Sequence, residues 1–121
     1  NDARHIRKEL SESMSVVDIL EKEVPAFSNS WHVVDLCCSM SLTGALIALK
    51  YPGVIVTALD RLDPSLHPHV NALQELGIRY SRLDVLSESF VTVLGQLVED
   101  LGRPTVMIGM HLCGNLSFRA I

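Results

Sequence analysis

Trp31-His32-Val33-Val34-Asp35-Leu36, followed at once by Cys37-Cys38-Ser39 and by a helical segment from about Ser41 to Lys50, is the stretch that decides the fold. Its first residues form a short β-type run whose acidic residue falls near the end, where a strand meets a turn. Strand, tight turn and helix in that order make the first half of a βαβ unit, since a parallel partner strand is reached only through a crossover.

Downstream the pattern repeats. Tyr51-Pro52-Gly53 is a turn, and Val54-Ile55-Val56-Thr57-Ala58-Leu59 is a second strand rich in β-branched residues, closed by Asp60. Asp63 is placed to cap the next helix, with Pro64 in its first position, Leu66, Val70, Leu73 and Leu76 on its apolar face and Gly77 as its stop. A third strand, about Ile78 to Leu83, ends at Asp84. Ser87 is the expected cap of a helix carrying Phe90, Val93, Leu94, Leu97 and Leu101, which Gly102 and Pro104 stop. A fourth strand, Thr105 to Met110, is uncharged and runs into His111-Leu112-Cys113-Gly114, after which Asn115 reads as the cap of a further helix. Upstream, Ile6, Leu10, Met14, Val17, Leu20 and Val24 recur at helical spacing from Asp2 to Val24, with Arg7, Lys8, Glu12 and Glu21 opposite, and Pro25 ends the run.

Four strands alternating with helices, three of them near-continuously apolar, indicate a parallel sheet covered on both faces. The expected fold class is α/β, a Rossmann-like three-layer α/β/α domain. Right-handed crossovers favour the strand order 3-2-1-4, which sets strands 1 and 4 side by side at a topological switch point. Residues 1–30 read as an N-terminal accessory helix and residues 31–121 as the N-terminal half of the α/β domain.

The chain has 121 residues, 48% hydrophobic and 20% charged, enough apolar material for one core and too much for intrinsic disorder. A net charge of −4 leaves no global basic footprint for nucleic acid. The longest apolar runs fall far short of a membrane span, and no secretory signal opens the chain. Three cysteines, two of them adjacent, argue against a disulfide scaffold and for a reducing compartment, cytoplasmic or nuclear. The chain opens at Asn1 without a methionine and stops at Ile121 inside a new segment, and so reads as an excised piece.

In sheets of this kind ligands bind outside the carboxyl ends of the strands. The residues to interrogate are therefore Asp35 to Ser41, Asp60 and Arg61, Asp84 and Val85, and His111 to Gly114. Aspartates stand at three of these four places. Taken singly, each is an ordinary strand-end carboxylate or cap; together they suit a nucleoside, because a carboxylate accepts two hydrogen bonds from a vicinal ribose diol. Asp60, 25 positions after Asp35, is the ribose candidate.

The series Val33-Val34-Asp35-Leu36-Cys37-Cys38-Ser39, then Val56-Thr57-Ala58-Leu59-Asp60-Arg61, then Leu83-Asp84-Val85, resembles the class I S-adenosylmethionine-dependent methyltransferases. His111-Leu112-Cys113-Gly114-Asn115-Leu116 is similar to the His-x-Cys-Gly segment of one branch, which includes methyltransferase-like proteins and Trm13-type tRNA methyltransferases. The resemblance covers about Trp31 to Ile121. It implies that Asp35, with Cys37, Cys38 and Ser39 after it, faces the methionine part of the cofactor. By the same resemblance Asp60 and Arg61 lie at the ribose, Asp84 and Val85 meet the adenine, and His111 and Cys113 border the methyl-transfer site, with His111 as base or as substrate-orienting group. RNA, tRNA in particular, is the substrate that this branch implies.

One departure stands out. The superfamily's Asp-x-Gly-x-Gly-x-Gly turn has Cys37, Ser39 and Ser41 in its glycine positions, where a backbone must approach the ligand closely. This favours a rival reading, a methyltransferase-like binding or scaffolding module without catalysis. A nicotinamide-dependent oxidoreductase lacks its glycine fingerprint equally and has no place for the His-x-Cys-Gly segment. Cys37, Cys38, His111 and Cys113 gather soft ligands at adjacent strand ends, but neighbouring cysteines do not converge on one zinc, and buried small hydrophobes are the simpler reading; no metal is expected. His67-Pro68-His69 is a solvated turn, and Trp31 a packing residue at the far end of the sheet. Against a fold of seven strands, the chain reads as truncated before strands 5 to 7 and not expected to be active alone. The edge of strand 4 should then be covered by another chain or by the N-terminal helix.

Overall fold

Runs of β-branched residues alternate with segments of helical period, and each becomes the element its pattern dictates. The computed structural model describes residues 2–36, 42–61, 63, 65, 70–84, 87–110 and 116–120. In chain order the elements are α1 (Asp2–Glu23), β1 (His32–Leu36), α2 (Leu42–Lys50), β2 (Ile55–Asp60), α3 (Val70–Glu75), β3 (Arg79–Arg82), α4 (Phe90–Leu101), β4 (Thr105–Met110) and β5 (Leu116–Ala120). They form one sheet in the order β3-β2-β1-β4-β5. The first four strands are parallel, so the expected 3-2-1-4 order and the α/β/α layering both hold.

β5 corrects the reading of the chain's end. It pairs antiparallel with β4, from Val106 opposite Ala120 to Met110 opposite Leu116, where a helix capped by Asn115 was expected. Leu116, Phe118 and Ala120 alternate with Ser117 and Arg119, which is the period of a strand. The outer edge of β4 is therefore paired by the chain's own next segment, not by α1. Asn115 lies outside the described residues.

Each face of the sheet carries its own core. Val33, Val56, Ala58, Val106 and Ile108 pack with Val16, Val17, Leu20 and Val24, with Ile47 of α2 and with Leu73 of α3. On the opposite face Val34, Leu59 and Leu83 pack with Leu94, joined by Phe90, Leu97 and Val98 of α4. Fully buried Leu20 and Ile47 each contribute about 1.5–3 kcal/mol by removal from water. α1 thus belongs to the core, but its buried stripe is Ser13, Val16, Val17, Leu20 and Val24. Leu10 and Met14, expected on that stripe, are 37% and 56% exposed. Ser13 meets Thr43 at the start of α2, so Leu10 lies before the stretch of α1 that α2 covers, while Met14 borders an open groove with Leu46, Leu49 and Lys50 at the side of the buried stripe. Leu76, expected on the apolar face of α3, is likewise exposed.

Two caps differ from expectation. α4 starts at Phe90 with Ser89 in the cap position and no side-chain cap bond; the hydroxyl of Ser87 instead donates to the Asp84 carbonyl at 2.7 Å. Asp63 accepts from Ser65, through N–H at 2.9 Å and O–H at 2.7 Å, and so caps a turn there, whereas α3 begins only at Val70. Pro64, Leu66 and the His67-Pro68-His69 turn lie outside the described residues. Gly102 ends α4 as expected, at φ 59°, with its N–H shared between the carbonyls of Val98 and Glu99.

The amino ends of the strands are knitted shut. His32, wholly buried, places Nε2 2.8 Å from the Thr57 hydroxyl and Nδ1 3.2 Å from that of Thr105. Thr105 spends its single proton on the Arg103 carbonyl at 3.0 Å, so Nδ1 carries the imidazole proton and donates it, while Nε2 accepts from Thr57. One neutral ring thereby joins β2, β1 and β4. In the core on the other face of the sheet Phe27 packs against Trp31, ring centres 5.7 Å apart, and edge-on against Tyr51 at 4.8 Å. The Tyr51 hydroxyl donates to Glu21, which also pairs with Lys50. Arg103 donates to the Gly53 carbonyl at 2.8 Å.

Candidate functional site

The parallel strands aim their carboxyl ends at one rim, and the acidic residues lie there. Asp35, the penultimate residue of β1, is in register with Ala58 of β2 and Ile108 of β4 and is 7% exposed. Asp60 is the last residue of β2, half-buried, two positions beyond Ala58. Because side chains alternate along a strand, Asp35 and Asp60 share the face that carries α1, α2 and α3, offset by about 7 Å along the strands. Asp84, two residues past β3, is exposed. Its carbonyl accepts from the N–H of Ser87 at 3.0 Å, which turns the chain toward α4.

Arg61, exposed just past Asp60, lies beside Arg82 of β3, whose Nε donates to the Arg61 carbonyl at 3.1 Å. The Asp63 carboxyl is held below the ordinary carboxylate range, first by the Ser65 hydroxyl, then by the Ser65 N–H and less by the charge of Arg82. The structure thus brings Asp35 and Asp60 together on neighbouring strands and sets Asp84 one strand further out. Cys37, Cys38, Ser39, Val85, His111 and Cys113 lie outside the described residues. β1 and β4 are adjacent, Leu36 opposite Gly109, so the segment with Cys37, Cys38 and Ser39 and the segment with His111 and Cys113 follow neighbouring strand ends. Among the described residues no three His, Cys, Asp or Glu side chains gather as a metal site, and no helix is long and apolar enough to cross a membrane.

Two features escaped the sequence reading. The hydroxyl of Thr43, in the first turn of α2, donates to that of Ser13 at 2.9 Å with both residues buried, and so joins α1 to the helix that follows the β1 turn. Arg82 ties the segment after Asp60 to β3. A signal existed for the first alone: Ser13 lies on the same helical stripe as Val17 and Leu20, whereas the register that sets Arg82 opposite Asp60 is visible only in the fold.

Comparison with known proteins is informative about the scaffold alone. No family model matches the chain, and no curated protein matches it by sequence. Among solved structures, the chain is similar to coclaurine N-methyltransferase, in a crystal structure bound to N-methylheliamine and SAH, with a TM-score of 0.55 and 15% identity. The match covers 82% of this chain and 35% of that one, so the chain spans about a third of the enzyme's length. The two share a fold: a Rossmann-like α/β sheet of the kind found in an S-adenosylmethionine-dependent methyltransferase.

Proposed function

We propose that the chain is part of an S-adenosylmethionine-dependent methyltransferase and that it binds the cofactor across the carboxyl ends of β1 and β2. One observation carries the reading: Asp35 and Asp60 stand on one face of adjacent parallel strands, beside the β1–β4 switch point. The half-buried Asp60 fits a ribose, since its two carboxylate oxygens can each accept one hydroxyl of the diol. The buried Asp35 is proposed for the methionine part, and the exposed Asp84, with Val85 next in sequence, for the adenine. When bound, S-adenosylmethionine supplies a methyl group already activated by its sulfonium. The protein then has only to align a nucleophile and take up its proton where needed, which is the part proposed for His111, with Cys113 beside it. Transfer to RNA, tRNA in particular, is proposed from the His-x-Cys-Gly segment.

Calorimetric titration of the chain with S-adenosylmethionine tests this. Saturable heat, with affinity weakened about a hundredfold in Asp60→Ala, is the expected result; no heat at about millimolar ligand overturns it. Cys37, Ser39 and Ser41 in the glycine positions favour a second reading, a binding module without catalysis. Cofactor binding with no methyl transfer to tRNA by the full protein is its signature.

A further inference from the structure

Asp60 is followed by a turn that one side chain of the neighbouring strand holds in place. Arg82 is in register with Asp60 across β2 and β3. Its Nε donates to the Arg61 carbonyl at 3.1 Å and its Nη1 to Asp63 Oδ2 at 3.4 Å. The other oxygen of Asp63 accepts both the N–H and the O–H of Ser65, and the N–H of Leu83 donates to the Asp60 carbonyl at 2.7 Å. Residues 60, 61 and 63 are therefore each tied, by backbone or by side chain, to the end of β3.

This brace is too exposed to be a stability device. The Arg82 and Asp63 side chains are 62% and 43% exposed, and solvated ion pairs add little to folding. Its effect falls on orientation. A carboxylate that must meet two hydroxyls at once is sensitive to rotation of the backbone that carries it, and bonds immediately after Asp60 restrict that rotation.

We infer that Arg82 is a positioning residue, which acts through Arg61 and Asp63 to hold Asp60 in the geometry that a vicinal diol requires. The inference rests on the reading of Asp60 as the ribose acceptor. It concerns a residue that touches no ligand itself.

The test is a pair of calorimetric titrations, with S-adenosylhomocysteine and with its 2′,3′-dideoxy analogue, on the wild-type chain and on Arg82→Ala. Arg82→Ala is expected to weaken S-adenosylhomocysteine by about five- to tenfold, the scale of one charge-assisted hydrogen bond discounted for solvent. The dideoxy analogue, which gives Asp60 nothing to hold, is expected to bind both proteins equally. Equal binding of S-adenosylhomocysteine to both proteins overturns the inference, as does an equal loss for both ligands, the mark of a merely structural role. If Arg82→Ala does not fold, Asp63→Ala removes the Asp63 half of the brace and leaves the bond to the Arg61 carbonyl, so a smaller loss confined to S-adenosylhomocysteine is expected and the same outcomes overturn the inference. A wild-type chain that binds neither ligand brings down the cofactor reading and this inference with it, whereas a wild-type chain that binds S-adenosylhomocysteine, with Arg82→Ala changing neither affinity or lowering both alike, brings down this inference alone.

Discussion

At the amino ends of the strands His32, Thr57, Thr105 and Arg103 pass hydrogen bonds from one to the next, and an aromatic cluster of Phe27, Trp31 and Tyr51 packs in the core of the other sheet face. At the carboxyl ends Asp60 is half-buried and Asp84 exposed, and the brace that Arg82 makes beside them is solvated too. The same sheet thus ends in a buried neutral knot on one side and in accessible charge on the other. The contrast teaches that stability and binding are housed apart: change at the amino end is expected to cost folding, and change at the carboxyl end to cost affinity.

The largest effect should come from His32. His32→Ala vacates a fully buried site and leaves two hydroxyls without their partner, a loss of about 3–5 kcal/mol measurable by urea unfolding. A loss under about 1 kcal/mol would break the comparison. Acid should act through the same ring. Burial above all, then the charges of Arg79 and Arg103, push its pKa down from 6.5 to about 4. Between these values the unfolded chain binds a proton that the folded chain refuses. The stabilisation is therefore complete above pH 6.5 and drains away as pH falls toward 4, by roughly 3 kcal/mol in all. His32→Leu, which cannot titrate, should show a shallower decline over that interval.

Asp60→Ala sharpens the comparison from the other end. Losing two charge-assisted hydrogen bonds should weaken S-adenosylmethionine about a hundredfold by calorimetry, while the unfolding free energy moves by less than about 1 kcal/mol. A variant that unfolds instead would show that the carboxyl end is structural as well. The smallest effect is expected at Gly102, whose φ of 59° suits glycine and whose added Cβ would meet open space. Gly102→Ala should cost about 1 kcal/mol, from the backbone alone, and leave ligand affinity unchanged.

Much of this was legible in the chain. β4 spans Thr105–Met110 as read, because an uncharged run between Pro104 and a change of pattern leaves little choice. Asp35, Asp60 and Asp84 were found because parallel topology makes strand ends the place to look. What escaped depends on partners distant in sequence. His32 offers no local sign of its role, as Thr57 and Thr105 come 25 and 73 positions later. Arg82 looks like any charged strand end until its register with Asp60 is known. The missed β5 is a different failure, since the period of two in Leu116 to Ala120 was present and the capping residue before it was given more weight.

The order of strands also sets a schedule for synthesis. β1 is flanked by β2 and by β4, and these emerge at very different times. A nascent chain can seat His32 against Thr57 once 25 further residues exist, but the ring's second partner arrives only after 73. Until then the central strand keeps one edge open and an imidazole proton without its acceptor. Completion of β4 is therefore the step that closes the core, and ribosome stalling before Thr105 would hold the chain in a form that other unpaired strands can still capture.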